Sequence, residues 1–139
     1  MQPKTLILRT AGANCDRETA YAFELAGSIS ELLHINRLLE NPRLLERYQI
    51  LAIPGGFSYG DDIAAGRIYA NQIRHHLADT FARFIEAGKP IIGICNGFQV
   101  LCEAHLLPGV LRQNEHLQYR CQWTYLRTEN IDTPFTGKC

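Results

Sequence analysis

Through the first hundred residues, short apolar runs alternate with amphipathic stretches, and glycine or proline marks most of the breaks. Thr5 to Leu8 is an apolar run of buried-strand length, broken by Ala11-Gly12-Ala13-Asn14. The next stretch predicts a helix capped by Asp16 and running to about Ala26, with Glu18 and Glu24 outward and Phe23 inward. Gly27 stands where helices commonly end. Ser30 to Ile35 suggests a second strand, Pro42 opens a short helix through Tyr48, and Ile50 to Ile53 forms a third strand closed by Pro54-Gly55-Gly56.

A loop of unusual composition follows: Gly55-Gly56-Phe57-Ser58-Tyr59-Gly60-Asp61-Asp62. Beyond it, Ile73, Leu77, Phe81, Phe84 and Ile85 recur at helical spacing, which predicts one long amphipathic helix ended by Gly88. Pro90 to Cys95 is a fourth apolar strand. Gly93-Ile94-Cys95-Asn96-Gly97 then turns the chain into a helix with Phe98, Leu101 and Cys102 on one face, and Pro108-Gly109 breaks it. Tyr119 to Arg127 suggests a last strand. Strands alternating with helices imply an α/β fold, a doubly wound and mostly parallel sheet covered on both faces. Ligands bind beyond the carboxyl ends of such strands, so the Gly55 loop and the Cys95 turn should face one crevice.

Composition narrows the picture without changing it. A length of 139 residues suits a single domain, and 46% hydrophobic residues supply one core. Fourteen basic and 14 acidic side chains balance, which gives no reason to expect nucleic acid or a membrane surface as partner. The five cysteines are odd in number and match no zinc spacing, so no metal site is expected. With no signal-peptide core, the thiols point to a reducing cytoplasm.

The candidate chemistry sits in the two loops. Gly93-x-Cys95-x-Gly97 is the cysteine form of a nucleophile elbow. Side chains two residues either side of a nucleophile on so tight a turn would collide, and glycine removes them. The thiol then stands at a helix N-terminus, where the helix dipole favours the thiolate. An amide attacked by that thiolate develops negative charge on its oxygen, which preorganised backbone N–H groups stabilise. Asn96 offers one such N–H; the Gly55-Gly56-Phe57 loop offers the other, from Gly56 or Phe57.

The runs from Leu51 to Asp62 and from Gly88 to Leu101, continued by Ala65-Gly66-Arg67-Ile68, Leu106-Leu107-Pro108-Gly109, Arg120-Cys121-Gln122-Trp123 and Thr133-Pro134-Phe135-Thr136, resemble the class I glutamine amidotransferases. Within them they look most like the glutaminase subunits of phosphoribosylformylglycinamidine synthase. The resemblance covers nearly the whole chain. It implies that Cys95 forms a glutamyl thioester, that Gly55, Gly56, Phe57 and Asn96 surround the oxyanion, and that Gln99 binds glutamine. It further implies that ammonia passes to a synthetase subunit, with a small accessory subunit also in the assembly. ATP and Mg²⁺ belong to that partner, and no cofactor is expected in this chain; no P-loop motif occurs in it.

In the family the triad is completed by a His-x-Glu motif beyond the Thr-Pro-Phe-Thr segment. The 139 residues stop short of it, so a domain lacking its C-terminal part is the expectation. None of His34, His75, His76, His105 and His116 matches that motif, and His105 stands where the family usually has glycine. Two other readings stand beside the enzymatic one. One is a truncated or split form that binds glutamine or the synthetase without turnover; the other is a different cysteine-elbow α/β protein, such as a thiol hydrolase.

Overall fold

The computed structural model describes residues 2–138. Strands β1 (Lys4–Arg9), β2 (Ile29–His34), β3 (Ile50–Ile53) and β4 (Ile91–Gly93) form one parallel sheet in the order β2-β1-β3-β4. Leu6 lies opposite Leu51 and Leu51 opposite Ile91, so the apolar residues of the inner strands are in step. Helices α1 (Asp16–Leu25), α2 (Ile35–Glu40), α3 (Arg67–His76), α4 (Ala78–Glu86) and α5 (Asn96–Glu103) cover it.

Alternation along the inner strands divides the core. Leu6, Leu8, Leu51 and Ile53 face one side and pack with Ile35, Leu38, Tyr69, Ile73, Phe81, Phe84, Val100 and Leu101. Ile7 and Ala52 face the other side, against Ala20 and Phe23 of α1 and Ile92. Thr5 through Leu8 are therefore wholly buried, as a strand covered on both faces must be. The Tyr69 hydroxyl meets its hydrogen-bonding need by donating to the Leu8 carbonyl at 2.8 Å.

Several local expectations need correction. The long helix is two helices, because Leu77 (φ −124°, ψ 8°) breaks the helical path between α3 and α4. Leu77 is itself buried, so the apolar spacing runs unbroken through a change of direction that no glycine or proline marks. The second strand ends at His34, and Ile35 begins α2, with the His34 Nδ1 accepting the Asn36 N–H at 3.2 Å. Pro42–Arg47 is a short 3-10 helix. Asp16 is not the cap of α1: Cys15 holds that position, and the Asp16 carboxylate pairs with Arg9 at 3.1 Å. Phe98 is 46% exposed, and α5 buries Gly97, Val100, Leu101 and Cys102 instead.

The expected strand over 119–127 does not form. No helix or strand lies between residues 107 and 138, and Trp123 and Tyr125 are fully exposed. A strand needs a neighbour to take its backbone hydrogen bonds, and this segment pairs with none of β1–β4.

Candidate active site

Each loop expected at the site follows the carboxyl end of an inner or edge strand, and a third joins them. The sheet order places β1 and β3 side by side while their connections run to opposite edges, which is the switch point where α/β sheets open a crevice. The loops after β1, β3 and β4 meet there.

Cys95 links β4 to α5 with φ 54° and ψ −111°, a left-handed backbone rarely held by a residue with a side chain. The flanking glycines are needed for the reason the sequence suggested. A Cβ on Gly93 would lie 2.5 Å from the Gly97 carbonyl oxygen, and one on Gly97 would lie 2.0 Å from the Ile53 carbonyl oxygen. The Cys95 thiol is exposed. At the start of α5, Gly97 donates to Ile94 O at 2.9 Å and Gln99 to Cys95 O at 3.2 Å. The Asn96 N–H has no protein acceptor among the described residues, as befits the first residue of a helix.

Gly55 is buried directly beside the elbow: a Cβ there would meet the Cβ of Cys95 at 3.3 Å and that of Cys15 at 3.7 Å. Gly56 has φ +134°, and a Cβ on it would strike the Gly12 carbonyl oxygen at 2.5 Å and the Asn14 amide nitrogen at 2.6 Å. The Phe57 N–H is committed to Gly12 O at 2.8 Å, and the Tyr59 N–H to Ala11 O at 2.8 Å. The choice between Gly56 and Phe57 as loop donor is thereby narrowed: the Gly56 N–H has no acceptor among the described residues, whereas that of Phe57 is spent. The Phe57 side chain is 65% exposed and lies on the surface.

The 11–14 loop is the part of the site that sequence reasoning missed. Its sequence marks only a break after the first strand, yet its carbonyls hold the Gly56 loop in place. Gly12 was the available signal, since a Cβ there would lie 2.0 Å from the Phe57 carbonyl oxygen. The Asn96 carboxamide was also missed. It reaches the loop at Ser58, Asp61 within the 58–61 turn, and Gln99 on its own helix. Gln99 is half-buried and lines a cavity of about 420 Å³ with Asp61, Ile63, Arg67 and Glu103. Arg67 and Glu103 form an ion pair at 3.0 Å on its wall.

Among the other thiols, Cys15 and Cys121 are exposed, and Cys102 is buried on α5. Burial, with the neighbouring Glu103 carboxylate, pushes the Cys102 thiol up. Among the described residues no histidine is hydrogen-bonded to Cys95; His34 caps α2, and His116 accepts the Gln118 N–H. His75 and His76 end α3 on the exposed side, and His105 follows α5 at φ 59°. No helix of the described residues is long and apolar enough to cross a membrane.

Comparison with known proteins places this chain in a family. The model of the CobB/CobQ-like glutamine amidotransferase domain family matches residues 2–136. The chain belongs to that family. Similar proteins include phosphoribosylformylglycinamidine synthase subunit PurQ of Dehalococcoides mccartyi, 52% identical over 138 residues, which cover 94% of this chain and 54% of that protein. The subunit PurQ of Methanothermobacter thermautotrophicus is 43% identical over 131 residues, covering 94% of this chain and 56% of that protein. A chain in a solved structure of PurLQS from Thermotoga maritima is 40% identical and superposes with a TM-score of 0.80, over 98% of this chain and 60% of that one. The chain thus spans about half the length of the curated relatives it matches. The doubly wound, parallel fold with its cysteine elbow is the fold of the family.

Proposed function

We propose that this amidotransferase chain is part of one domain that hydrolyses glutamine to glutamate and ammonia through a thioester on Cys95. One observation carries the reading: the Cys95 elbow, the free Asn96 N–H and the free Gly56 N–H share one end of the sheet, beside the buried Gly55. The Cys95 thiolate adds to the side-chain carboxamide carbon of glutamine, and the C–O π electrons move to oxygen. The N–H groups of Gly56 and Asn96 stabilise that oxyanion, each such donor being worth ~10²–10³ in rate. The tetrahedral centre then collapses, the C–N bond breaks, and the nitrogen leaves as ammonia after taking a proton. Water adds to the thioester, and glutamate and the thiol are released. Gln99 stands at the first turn of α5 to bind the substrate.

The departing nitrogen needs a proton, and the water needs a base. Among the described residues no imidazole meets the thiol. A polypeptide of these 139 residues is therefore expected to acylate Cys95 more readily than it turns over, because positioned acid–base catalysis contributes ~10²–10⁴-fold.

Beyond the hydrolysis, ammonia is passed to a synthetase subunit that converts formylglycinamide ribonucleotide to formylglycinamidine ribonucleotide in the cytoplasm. ATP and Mg²⁺ act there, and a small accessory subunit completes the assembly. The similarity to PurQ subunits and to a chain of PurLQS supports this reading. The test is ammonia release from glutamine by the purified chain, alone and mixed with the synthetase subunit, against Cys95→Ala. Release that rises with the synthetase and vanishes in Cys95→Ala is expected. Undiminished release from Cys95→Ala would overturn the proposal.

A further inference from the structure

The side chain of Asn96 has no part in the chemistry described above, yet it is 2% exposed and fully engaged. Its Oδ1 accepts the Ser58 backbone N–H at 3.0 Å. Its Nδ2 donates to Asp61 Oδ1 at 3.2 Å and to Gln99 Oε1 at 3.0 Å. Asp61 Oδ1 also accepts the Gly66 N–H at 3.2 Å. The carboxamide orientation follows from its neighbours. A backbone N–H at one end can only donate, and a carboxylate at the other can only accept, so oxygen faces Ser58 and nitrogen faces Asp61. Gln99 must then turn its oxygen toward Asn96, which leaves its NH₂ group available to an incoming ligand oxygen.

The segment held this way is strained. Tyr59 and Asp61 have φ of 53° and 54°, conformations that a residue with a side chain adopts only at a cost. Such a turn persists only where its surroundings over-determine it. On one flank the 11–14 loop supplies backbone carbonyls. On the other flank the Asn96 carboxamide joins the turn to the elbow helix.

We propose that Asn96 is a positioning residue. Its side chain clasps the Gly56 loop, through Ser58 and Asp61, to the helix that carries Cys95, so that the free N–H groups of Gly56 and Asn96 converge on one oxyanion. It also sets Gln99 as a hydrogen-bond donor, matched to an oxygen of the substrate. The inference rests on the reading of Cys95 as the acylated nucleophile.

The test compares two alkylating agents on the full chain, the rates being followed by labelling of Cys95. A glutamine-shaped chloromethyl ketone uses the oxyanion donors and the substrate site; its Sγ–C bond forms as chloride leaves. Iodoacetamide reacts with the thiol and uses neither. Wild type is expected to prefer the chloromethyl ketone. Asn96→Ala and Asp61→Ala are expected to reduce the ratio of the two rates ~10- to 100-fold, because a misplaced donor loses its benefit. Asp61→Asn keeps the oxygen that receives both Asn96 and Gly66, and is expected to retain the wild-type ratio. A purely structural role would lower the melting temperature and both rates together and leave the ratio unchanged. An unchanged ratio in Asn96→Ala and in Asp61→Ala, with wild type still preferring the ketone, would overturn the clasp. A wild type without any preference would overturn the reading of Cys95 itself, and the clasp with it.

Discussion

Replacing Gly97 by alanine separates backbone strain from close approach. Gly97 is buried in the first turn of α5 and has no left-handed φ, so alanine there would gain ~1 kcal/mol of helix propensity if space allowed. Space does not allow it. The new Cβ would lie 2.0 Å from the Ile53 carbonyl oxygen, 2.7 Å from its carbon and 3.1 Å from the Pro54 carbonyl oxygen, all backbone atoms at the end of β3. Ordinary contact begins near 3.4 Å, so α5 must retreat from β3 by more than an ångström. That movement strains or breaks the Ile94 N–H to Ile53 O hydrogen bond, now 3.1 Å. Overpacking costs ~1–3 kcal/mol and the lost bond about 1 kcal/mol, against the propensity gain, for a net loss of ~1–3 kcal/mol. A chain of this size should melt about 3–10 °C lower. Cys95 and the Asn96 N–H move with the helix while the Gly56 N–H stays with β3, so alkylation by a glutamine-shaped chloromethyl ketone should slow ~10²-fold. Gly88→Ala is the control: a Cβ there meets nothing within 4 Å, and only its φ of +70° is penalised, by ~1 kcal/mol. Circular-dichroism melting and timed labelling of Cys95 measure both effects. Wild-type melting and labelling in Gly97→Ala would refute the argument, as would equal slowing in Gly88→Ala.

Other outcomes follow from the same structure. His105 ends α5 at φ 59°, donating to Cys102 O while Leu106 donates to Leu101 O, each at 3.0 Å; a glycine is the favoured residue there, so His105→Gly should raise stability by about 1 kcal/mol in urea unfolding. Buried Cys102 is expected to resist iodoacetamide at neutral pH while Cys15, Cys95 and Cys121 react, and to label only on unfolding; rapid native labelling would contradict its placement. Tyr48 and Tyr69 are raised by burial, Tyr48 also by Glu31, and Cys102 is raised by burial and Glu103. Each keeps its proton to higher pH when folded, so their contribution to stability is whole below the ordinary thiol and phenol values, begins to be lost as pH rises above them, and is gone once the raised folded values are passed. The urea midpoint should therefore fall between about pH 9 and 11, and a midpoint that rises there would contradict the burial of these groups.

Much of this architecture can be read from residues alone. Buried parallel strands are apolar on both faces, which makes Thr5 to Leu8 and Ile50 to Ile53 stand out, and glycines mark where the chain turns at their ends. Gly93 and Gly97 announced the elbow because steric exclusion leaves few alternatives. What stayed hidden was set by tertiary contact. Leu77 breaks a helix while keeping its apolar spacing, and 119–127 has strand-like residues but no neighbour to pair with. Asp16 is a favourable cap that Arg9 claims as an ion-pair partner instead. The Asn96 side chain is an ordinary helix N-terminal residue in sequence. Its partners Ser58 and Asp61 lie 38 and 35 residues away, and only the fold brings them together.

The central claim is that Cys95 attacks glutamine on this elbow, and site mapping of a substrate-shaped label tests it most directly. The chain is treated with a limiting glutamine-derived chloromethyl ketone, with and without excess glutamine, then digested and analysed by mass spectrometry. The account predicts modification of the peptide carrying Cys95, with exposed Cys15 and Cys121 left largely free, and protection by glutamine but not by an equal amount of an unrelated amino acid such as leucine. Labelling spread evenly over Cys15, Cys95 and Cys121, or labelling of Cys95 that glutamine does not slow, would contradict it.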